Sequence, residues 1–274
     1  MITELKKEEY YKCKPIINVN GQAEVKAIVD GNSPGRIFVD NVDSPKSGLI
    51  WQGNNDGFYF IGDENNEEFN KNLNQLIETV IAPQAREMNL EWFEGISNHP
   101  GWYVTIKEVF AHKTLGSWNQ KVFTLEEKNY QLQNEKDIEA NYEIKRITRE
   151  LYYDQSIINL EFLHAKLHDF WPNPEDFFDK GKGFCAMYEN KVVSVCFSAL
   201  IYEQYHCVDI ETLKDHRGKK LAQKVAHYFV RECLEHKLTP YWDCMEGNKP
   251  SVALAEGLGF TNSFNYVGYE FSLK

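Results

Sequence analysis

One stretch, residues 205–234, constrains the fold most, because its hydrophobic period changes partway along. Over Tyr205–Thr212 successive side chains alternate between two faces, with Asp209 and Glu211 on the same one, which predicts a strand. From Lys219 onward apolar residues recur at alternating intervals of one and three positions, a wide stripe on a helix of about five turns. The stripe consists of Leu221, Ala222, Val225, Ala226, Phe229, Val230, Cys233 and Leu234. The stretch therefore predicts a strand, a short loop and a long helix.

The loop before this helix carries the basic run Arg217-Gly218-Lys219-Lys220. A helix N-terminus has unpaired N–H groups and the positive end of the helix dipole, so a loop there suits a phosphate or pyrophosphate. Gly218 permits close backbone approach, and the cations add charge. An ordinary solvated connection is the alternative interpretation of these residues alone.

Two further elements follow the helix: a predicted strand over Thr239–Met245 and a short helix over Asn248–Phe260. This order resembles the GNAT superfamily of acyl-CoA-dependent N-acyltransferases, whose loop motif Arg/Gln-x-x-Gly-x-Gly/Ala aligns with residues 217–222. Over Phe184–Phe271 the chain is most similar to the zwittermicin A resistance-type GNAT subgroup. The shared run there is Thr-x-x-x-x-Arg-x-Lys-x-Leu-Ala, formed here by Thr212, Arg217, Lys219, Leu221 and Ala222.

The resemblance implies a fold and a co-substrate. The expected fold is α/β (α+β), a mixed, largely antiparallel central sheet flanked by helices, as in the GNAT acyl-CoA N-acyltransferases. The expected co-substrate is acetyl-CoA, and no metal is expected. Its pyrophosphate would lie on the backbone of the loop, and its thioester between the strand at Ile210–Thr212 and the strand at Tyr241–Cys244, where the N–H of residue 212 or 213 could polarise the carbonyl. The expected cofactor-binding residues are Ile210, Glu211, Thr212, Arg217, Gly218, Lys219, Lys220, Leu221, Ala222, Asn248 and Ser251.

Two positions depart from the family pattern. Lys220 stands where the loop motif has its middle glycine, and Ala255 stands where many GNAT enzymes have a tyrosine that protonates the departing thiolate. These departures keep a second hypothesis open, namely a non-catalytic module that binds or senses an acyl-CoA.

Glu211 and Asp209 are the candidate general bases, with Glu211 preferred because it lies where the strand meets the loop. An acceptor ammonium must lose a proton before it attacks a thioester, and a carboxylate beside the cleft can take that proton directly or through water. The expected reaction is direct attack by a primary amine in a ternary complex. Ordinary polar residues of a strand are the alternative interpretation.

An internal repeat is indicated by four residue pairs that are each 150 positions apart: Trp92 and Trp242, Asn98 and Asn248, Pro100 and Pro250, and Phe110 and Phe260. We expect a degenerate GNAT-like domain at 1–125, a linker at 126–141 and the catalytic GNAT domain at 142–274. The stretch 150 positions before the basic loop, Asp63–Glu68, is acidic. Because carboxylates repel a pyrophosphate, the N-terminal copy is expected to lack the cofactor.

The composition and the charge of the chain limit the classes of partner that are expected. The net charge of −11 argues against nucleic acid and anionic membranes and is compatible with a cationic small-molecule amine. No apolar run reaches the length of a signal peptide or a membrane span, so the expectation is a cytoplasmic monomer or homodimer. The six cysteines lack C-x-x-C spacing and are interpreted as reduced core thiols.

The remaining predictions are local. A strand is predicted around Glu24–Val29, and a helix over residues 69–81 that Pro83 stops or kinks. His164 and His168 have metal-ligand spacing but no third ligand, and His206 and His216 are minor candidates for proton transfer. The aromatic cluster Phe170, Trp171, Phe177 and Phe178 is interpreted as core, with lining of an acceptor pocket as the alternative.

Overall fold

The computed structural model describes residues 1–53 and 57–274 and divides into two compact units. Unit 1 consists of residues 1–120, 245–247 and 265–274, and unit 2 of residues 121–244 and 248–264. The chain forms twelve strands and nine α-helices over the described residues. The strands are β1 (Thr3–Glu4), β2 (Arg36–Val39), β3 (Ser47–Trp51), β4 (Gly57–Gly62), β5 (Trp92–Ser97), β6 (Gly116–Thr124), β7 (Tyr142–Arg146), β8 (Gly183–Tyr188), β9 (Lys191–Tyr202), β10 (Tyr205–Thr212), β11 (Thr239–Met245) and β12 (Thr261–Ser272). The helices are α1 (Ala23–Val29), α2 (Glu67–Leu76), α3 (Ala82–Glu87), α4 (Trp102–Val109), α5 (Arg149–Tyr153), α6 (Leu160–His168), α7 (Pro174–Lys180), α8 (Leu221–Glu235) and α9 (Lys249–Leu258).

Unit 1 is built on a sheet in the order β1-β2-β3-β4-β5-β12. Its pairs are antiparallel except β4 with β5, which is parallel. β4 is buried along nearly its whole length, and Phe58 stacks on Phe93 of β5 with ring centroids 4.2 Å apart. Trp102 and Phe110, which flank α4, are fully buried in the same cluster. Aromatic packing of β4 and β5 against α2 and α4 thus forms this core.

Unit 2 is built on the order β11-β10-β9-β8-β7, again antiparallel except for one pair, β10 with β11. One face of this sheet packs against α8 and α9 through a core that includes Val225, Phe229 and Trp242. The other face packs against α5–α7 through a core that includes Leu163 and Phe177. A sheet with helices on both faces is the predicted fold class, and the prediction is confirmed.

The compact units differ from the predicted contiguous domains 1–125 and 142–274 in three respects. The change of unit falls at residue 121, inside β6, which the sequence did not predict as a strand. Residues 126–141 belong to unit 2, where Gln131 N–H donates to Leu258 O (3.0 Å) and Glu135 forms an ion pair with Arg231 (2.7 Å). The chain's last ten residues belong to unit 1, where β12 pairs with β5. Alternation of side chains predicts a strand but does not select its partner edge.

One predicted strand is wrong, and of the two alternatives for Pro83, that it stops or kinks the helix, the stop is wrong. Glu24–Val29 lies in helix α1 rather than in a strand, because a short apolar run does not by itself distinguish the two periods. Pro83 does not stop the preceding helix: a π-helical segment, Ile77–Ile81, leads into α3, and Pro83 lies in the first turn of α3, where its missing N–H costs little.

Over the described part of the chain, the helices are too short or too polar to cross a membrane.

Candidate active site

The two parallel strands of unit 2 separate partway along their length. The parallel register runs from Tyr205–Thr239 to Cys207–Tyr241, and no later pair joins β10 to β11 among the described residues. The register with β9 shifts between Cys207 and Val208, which marks a β-bulge. A bulge bends a strand and increases its local twist. The residues 208–212 therefore pair with β9 and present their other edge to a gap beside β11.

The loop after β10 brings an open helix N-terminus to the end of this gap. Lys220 is the N-cap residue of α8, and its side chain makes no capping hydrogen bond. Among the described residues, no group accepts from the N–H of residues 218–223, and the first bond of the helix is Lys224 N–H to Lys220 O (3.0 Å). A Cβ built on Gly218 would meet nothing within 4 Å. The run offers a set of backbone donors to an anion, and these residues fit a pyrophosphate.

Two of the loop's residues have left-handed backbone conformations: φ is +78° at Gly218 and +64° at Lys220. This region favours glycine, because a Cβ there crowds the following carbonyl oxygen. Lys220 thus adopts the conformation for which the family motif has glycine, and it does so with an exposed side chain.

The other basic side chains of the loop are bonded to the protein. Lys219 Nζ donates to Tyr142 OH (2.9 Å), which also bonds His216 Nδ1 (3.0 Å). Arg217 Nε donates to Thr212 O (3.0 Å). These contacts anchor the loop to β7 and β10, so the backbone is the part of the loop that is most available to a ligand.

The two candidate bases lie in different environments on the same face of β10. Glu211 Oε2 forms an ion pair with Lys166 Nζ of α6 (2.7 Å). Asp209 Oδ2 is buried and has no hydrogen-bond partner among the described residues. The pKa of Asp209 is raised to about 6, chiefly by burial; Lys166 opposes the shift, and the charges of Glu211 and Asp169 add to it. A carboxylate that titrates near neutrality is suited to accept a proton, since general bases work best with a pKa near the operating pH.

Lys166 and Asp169 were missed by the sequence reasoning. They lie at the end of α6 and just beyond it, and Lys166 Nζ is 3.8 Å from Asp169 Oδ2. Their distance along the chain from β10 leaves no local pattern that joins them to Glu211. Only the packing of α6 on the sheet brings them to the site.

At the start of α9, both expected cofactor contacts are occupied by the protein. Asn248 Oδ1 accepts from Ser251 N–H (3.3 Å) and so caps the helix. Ser251 Oγ accepts from Trp242 Nε1 (2.9 Å). Ala255 is fully buried in the core, so the position of the family's tyrosine carries no proton donor.

Of the two residues whose N–H was expected to polarise the thioester carbonyl, Leu213 has its N–H bonded to the protein and Thr212 has its side chain bonded. The Leu213 N–H donates to Val193 O (2.9 Å), so it is not available to a carbonyl oxygen. Thr212 Oγ1 bonds Ser194 Oγ (2.7 Å), which fixes the end of β10. Ile210 packs with the core on the α8 side, where Leu221 is fully buried and the neighbouring Ala222 partly so.

The other titratable candidates have structural partners. His206 is buried against Ser198 Oγ (2.8 Å), and burial lowers the pKa of His206 to about 4. His164 Nε2 bonds Tyr152 O (2.8 Å), and His168 Nε2 lies 3.4 Å from Tyr152 OH. The six cysteines, all within the described residues, are buried and free, which confirms their interpretation as core thiols.

The aromatic cluster contributes mainly to the core. Trp171 and Phe177 are buried, and Trp171 Nε1 donates to Ser198 O (2.8 Å). Phe170 and Phe178 are partly buried and pack against the same cluster.

Strands β10 and β11 separate, and β10 leads to an uncapped helix N-terminus, an arrangement that agrees with the resemblance to the GNAT acyltransferases. The chain belongs to the GNAT acetyltransferase family, whose model matches residues 14–269. It is an acyl-CoA-dependent N-acetyltransferase, and acetyl-CoA is the co-substrate of the family.

A relative agrees with the family, and two solved structures share the fold. The uncharacterized N-acetyltransferase YdfB of Bacillus subtilis (strain 168) is 29% identical over 271 residues, 98% of each chain. A GCN5-related N-acetyltransferase-like protein from Streptococcus suis 89/1591 has a TM-score of 0.66 at 24% identity, over 89% of this chain and 90% of the other. A tandem GNAT protein from the clavulanic acid biosynthesis pathway has a TM-score of 0.60 at 10% identity, over 100% and 99%. The predicted tandem repeat is confirmed.

Proposed function

We propose that this protein transfers an acetyl group from acetyl-CoA to a primary amine of a cationic small molecule, in unit 2 and by direct attack. The observation that supports this most is the arrangement at β10: one end leads to the uncapped N-terminus of α8, and the face toward α6 carries Asp209, whose buried oxygen Oδ2 has no hydrogen-bond partner among the described residues. The loop run that resembles the zwittermicin A resistance-type subgroup leads us to place the protein in that subgroup.

The co-substrate would be held by the loop. The N–H groups of residues 218–223 would bind the pyrophosphate, and the positive end of the α8 dipole would stabilise its charge. The acetyl thioester would lie in the gap beside residues 208–212. Because Asn248 and Ser251 are bonded to the protein, they would contribute to this site chiefly by fixing the start of α9.

Asp209 is the general base in this proposal. The amine nitrogen attacks the thioester carbonyl carbon, a C–N bond forms, the C–S bond breaks, and CoA leaves as a thiolate. Before this attack the acceptor ammonium gives one proton to Asp209, directly or through water, which leaves the neutral amine as the nucleophile. As the C–S bond breaks, the nitrogen loses its second proton, which passes through water to the departing thiolate, so that the products are the amide and free CoA. Glu211 is less suited to this step, because its carboxylate is already paired with Lys166.

No cysteine is needed as a nucleophile. Burial raises the pKa of Cys185 to about 12 and that of Cys196 well above its usual value, so these thiols stay protonated at neutral pH. A direct ternary mechanism is consistent with this chemistry.

The experiment compares the wild type with Asp209→Asn and Glu211→Gln. Release of free CoA is measured with polyamines, aminoglycosides and amino acids as acceptors, and CoA binding by calorimetry. Asp209→Asn should lower kcat by about 100-fold or more while CoA affinity is retained, and Glu211→Gln should lower it less. Full activity of Asp209→Asn would contradict the assignment of the base. CoA binding by the wild type without release on any amine would instead support a non-catalytic acyl-CoA module.

A further inference from the structure

One cation lies among three carboxylates on the α6 side of β10. Lys166 Nζ is 2.7 Å from Glu211 Oε2 and 3.8 Å from Asp169 Oδ2, and a quarter of its side chain is exposed. Burial alone would lower the pKa of Lys166, but the bond to Glu211 and the charges of Asp209, Glu211 and Asp169 outweigh it and raise the pKa. Lys166 is therefore a cation wherever the carboxylates are ionised.

The groups around Asp209 come from three elements. The end of α6 contributes Lys166 and Asp169, β10 contributes Glu211, and β9 contributes the buried Cys196 thiol. Of these, only Lys166 brings a positive charge. The Asp209 oxygen Oδ2 has no hydrogen-bond partner in the described structure, although Lys166 bonds the neighbouring carboxylate two residues along the strand.

Resting on the function proposed above, we propose that Lys166 is a positioning residue of the acetyl-transfer site: its ammonium pairs with Glu211 and leaves Asp209 as the carboxylate that accepts the proton. Two carboxylates this close disfavour each other's ionised form. A cation that pairs with one of them keeps that one ionised and reduces the repulsion felt by the other. The pair thereby divides into an ion-paired carboxylate and one free to titrate.

Removal of the Lys166 cation should therefore shift the titration of Asp209 in a defined direction. With Lys166→Met, Asp209 would face Glu211 and Asp169 without a compensating charge, so its protonated form would persist to higher pH. With Glu211→Gln the opposite holds, because a neighbouring negative charge is lost and Lys166 remains. The two variants should move the same titration in opposite directions, which a general loss of structure would not do.

The test follows the Asp209 carboxyl by ¹³C NMR titration, assigned with Asp209→Asn, together with the pH profile of kcat/KM. Lys166→Met should raise the Asp209 midpoint by about one pH unit or more, Glu211→Gln should lower it, and Lys166→Arg should restore the wild-type position. Both readouts should shift together. Lys180→Met is the matched control, since the side chain of Lys180 is largely exposed on α7 and its pair with Asp176 is long (3.9 Å). Thermal unfolding verifies that each variant is folded.

The outcomes separate the two proposals. An unmoved Asp209 titration in both Lys166→Met and Glu211→Gln would overturn the role of Lys166, whatever the activity of Asp209→Asn. A shifted titration with an unshifted pH profile would show that Asp209 is not the base, and would overturn the proposed function and the positioning role together.

Discussion

The two units carry the same succession of elements, a strand with one parallel neighbour followed by a helix, but end that strand differently. In unit 1 the β4–β5 register covers the first four of the six residues of β4. Asn98 N–H then donates to Phe60 O (3.0 Å), and His99 Nε2 bonds Gly62 O (2.8 Å). In unit 2 the parallel register covers only the first three of the eight residues of β10. The strands of unit 1 are thus joined almost to their ends, and those of unit 2 leave a gap.

The helices that follow these two strands differ in the same way: the N-terminus of α2 is capped, and that of α8 is not. Asn66 Oδ1 caps α2 by accepting from Phe69 N–H (3.1 Å), and Glu67 and Glu68 occupy its first turn. The N-terminus of α8 has no side-chain cap and no acidic residue in its first turn. The difference teaches that two copies of one fold can differ in their capacity for a ligand: in unit 2, as far as its described residues show, the helix end and the strand edge are left without internal partners. It supports the expectation that unit 1 lacks the co-substrate.

The largest effect is expected from Gly218→Asp, which adds a charged side chain at the open N-terminus of α8. An aspartate there must adopt a left-handed backbone and brings a negative charge to the phosphate-binding run. The CoA dissociation constant, measured by calorimetry, should rise at least about tenfold. Gly257→Asp adds the same charge at another open position of unit 2 and should leave the CoA dissociation constant unchanged. Unaltered affinity in Gly218→Asp would place the ligand elsewhere.

The next effect concerns the carboxylate beside the gap. Because the pKa of Asp209 is about 6 when folded and near 3.8 when unfolded, its ionised form destabilises the folded state above pH 6, and this cost disappears below pH 3.8. Asp209→Asn should therefore raise the free energy of unfolding by about 1–2 kcal/mol at pH 8 and by almost nothing at pH 3.5. Denaturant titrations at both pH values measure this.

Asp63→Asn in unit 1 is the comparison, since that carboxylate accepts the Asn65 N–H (2.9 Å). It should not stabilise the protein at pH 8. Equal gains in both variants would mean that a reduction of net charge, rather than the unpartnered site of Asp209, produces the effect.

A smaller effect is expected at the capped helix end of unit 1. Asn66→Ala removes the bond to Phe69 N–H and should destabilise the protein by about 1 kcal/mol, whereas Asn66→Ser should retain most of the cap. CoA affinity should not change in either variant. A loss of CoA binding in Asn66→Ala would show that the N-terminal copy contributes to the site, against the comparison.

The smallest effect is expected from Lys220→Gly. Glycine relieves the left-handed strain of about 1–2 kcal/mol but loses more backbone entropy on folding, so a net gain of about 0.5 kcal/mol is expected. Lys214→Gly, at another exposed loop position but without positive φ, should destabilise instead. Destabilisation by both would indicate that the Lys220 side chain makes a stabilising contribution of its own.

Much of unit 2 could be predicted because its information is local. The alternation over Tyr205–Thr212, the stripe of α8 and the bounds of β11 follow from residues a few positions apart, and the structure reproduces them. The pairs at an offset of 150 residues predicted the tandem repeat. The acidic run at Asp63–Glu68 correctly indicated that the first turn of α2 is negatively charged.

The rest depended on which distant surfaces meet. The pairing of β12 with β5 is selected by the edge available in the folded state and not by any local pattern of side chains. The sequence favoured Glu211 as the base; the packing of α6 brings Lys166 to it, while Oδ2 of Asp209 is buried with no hydrogen-bond partner among residues 1–53 and 57–274. Side-chain pattern alone thus determined the elements of unit 2 and the position of the basic loop before α8, whereas tertiary structure decided which residues are partners and which carboxylate is paired. The physical reason is that a pKa depends on burial and on charges within a few ångströms, which residues far apart in the chain supply.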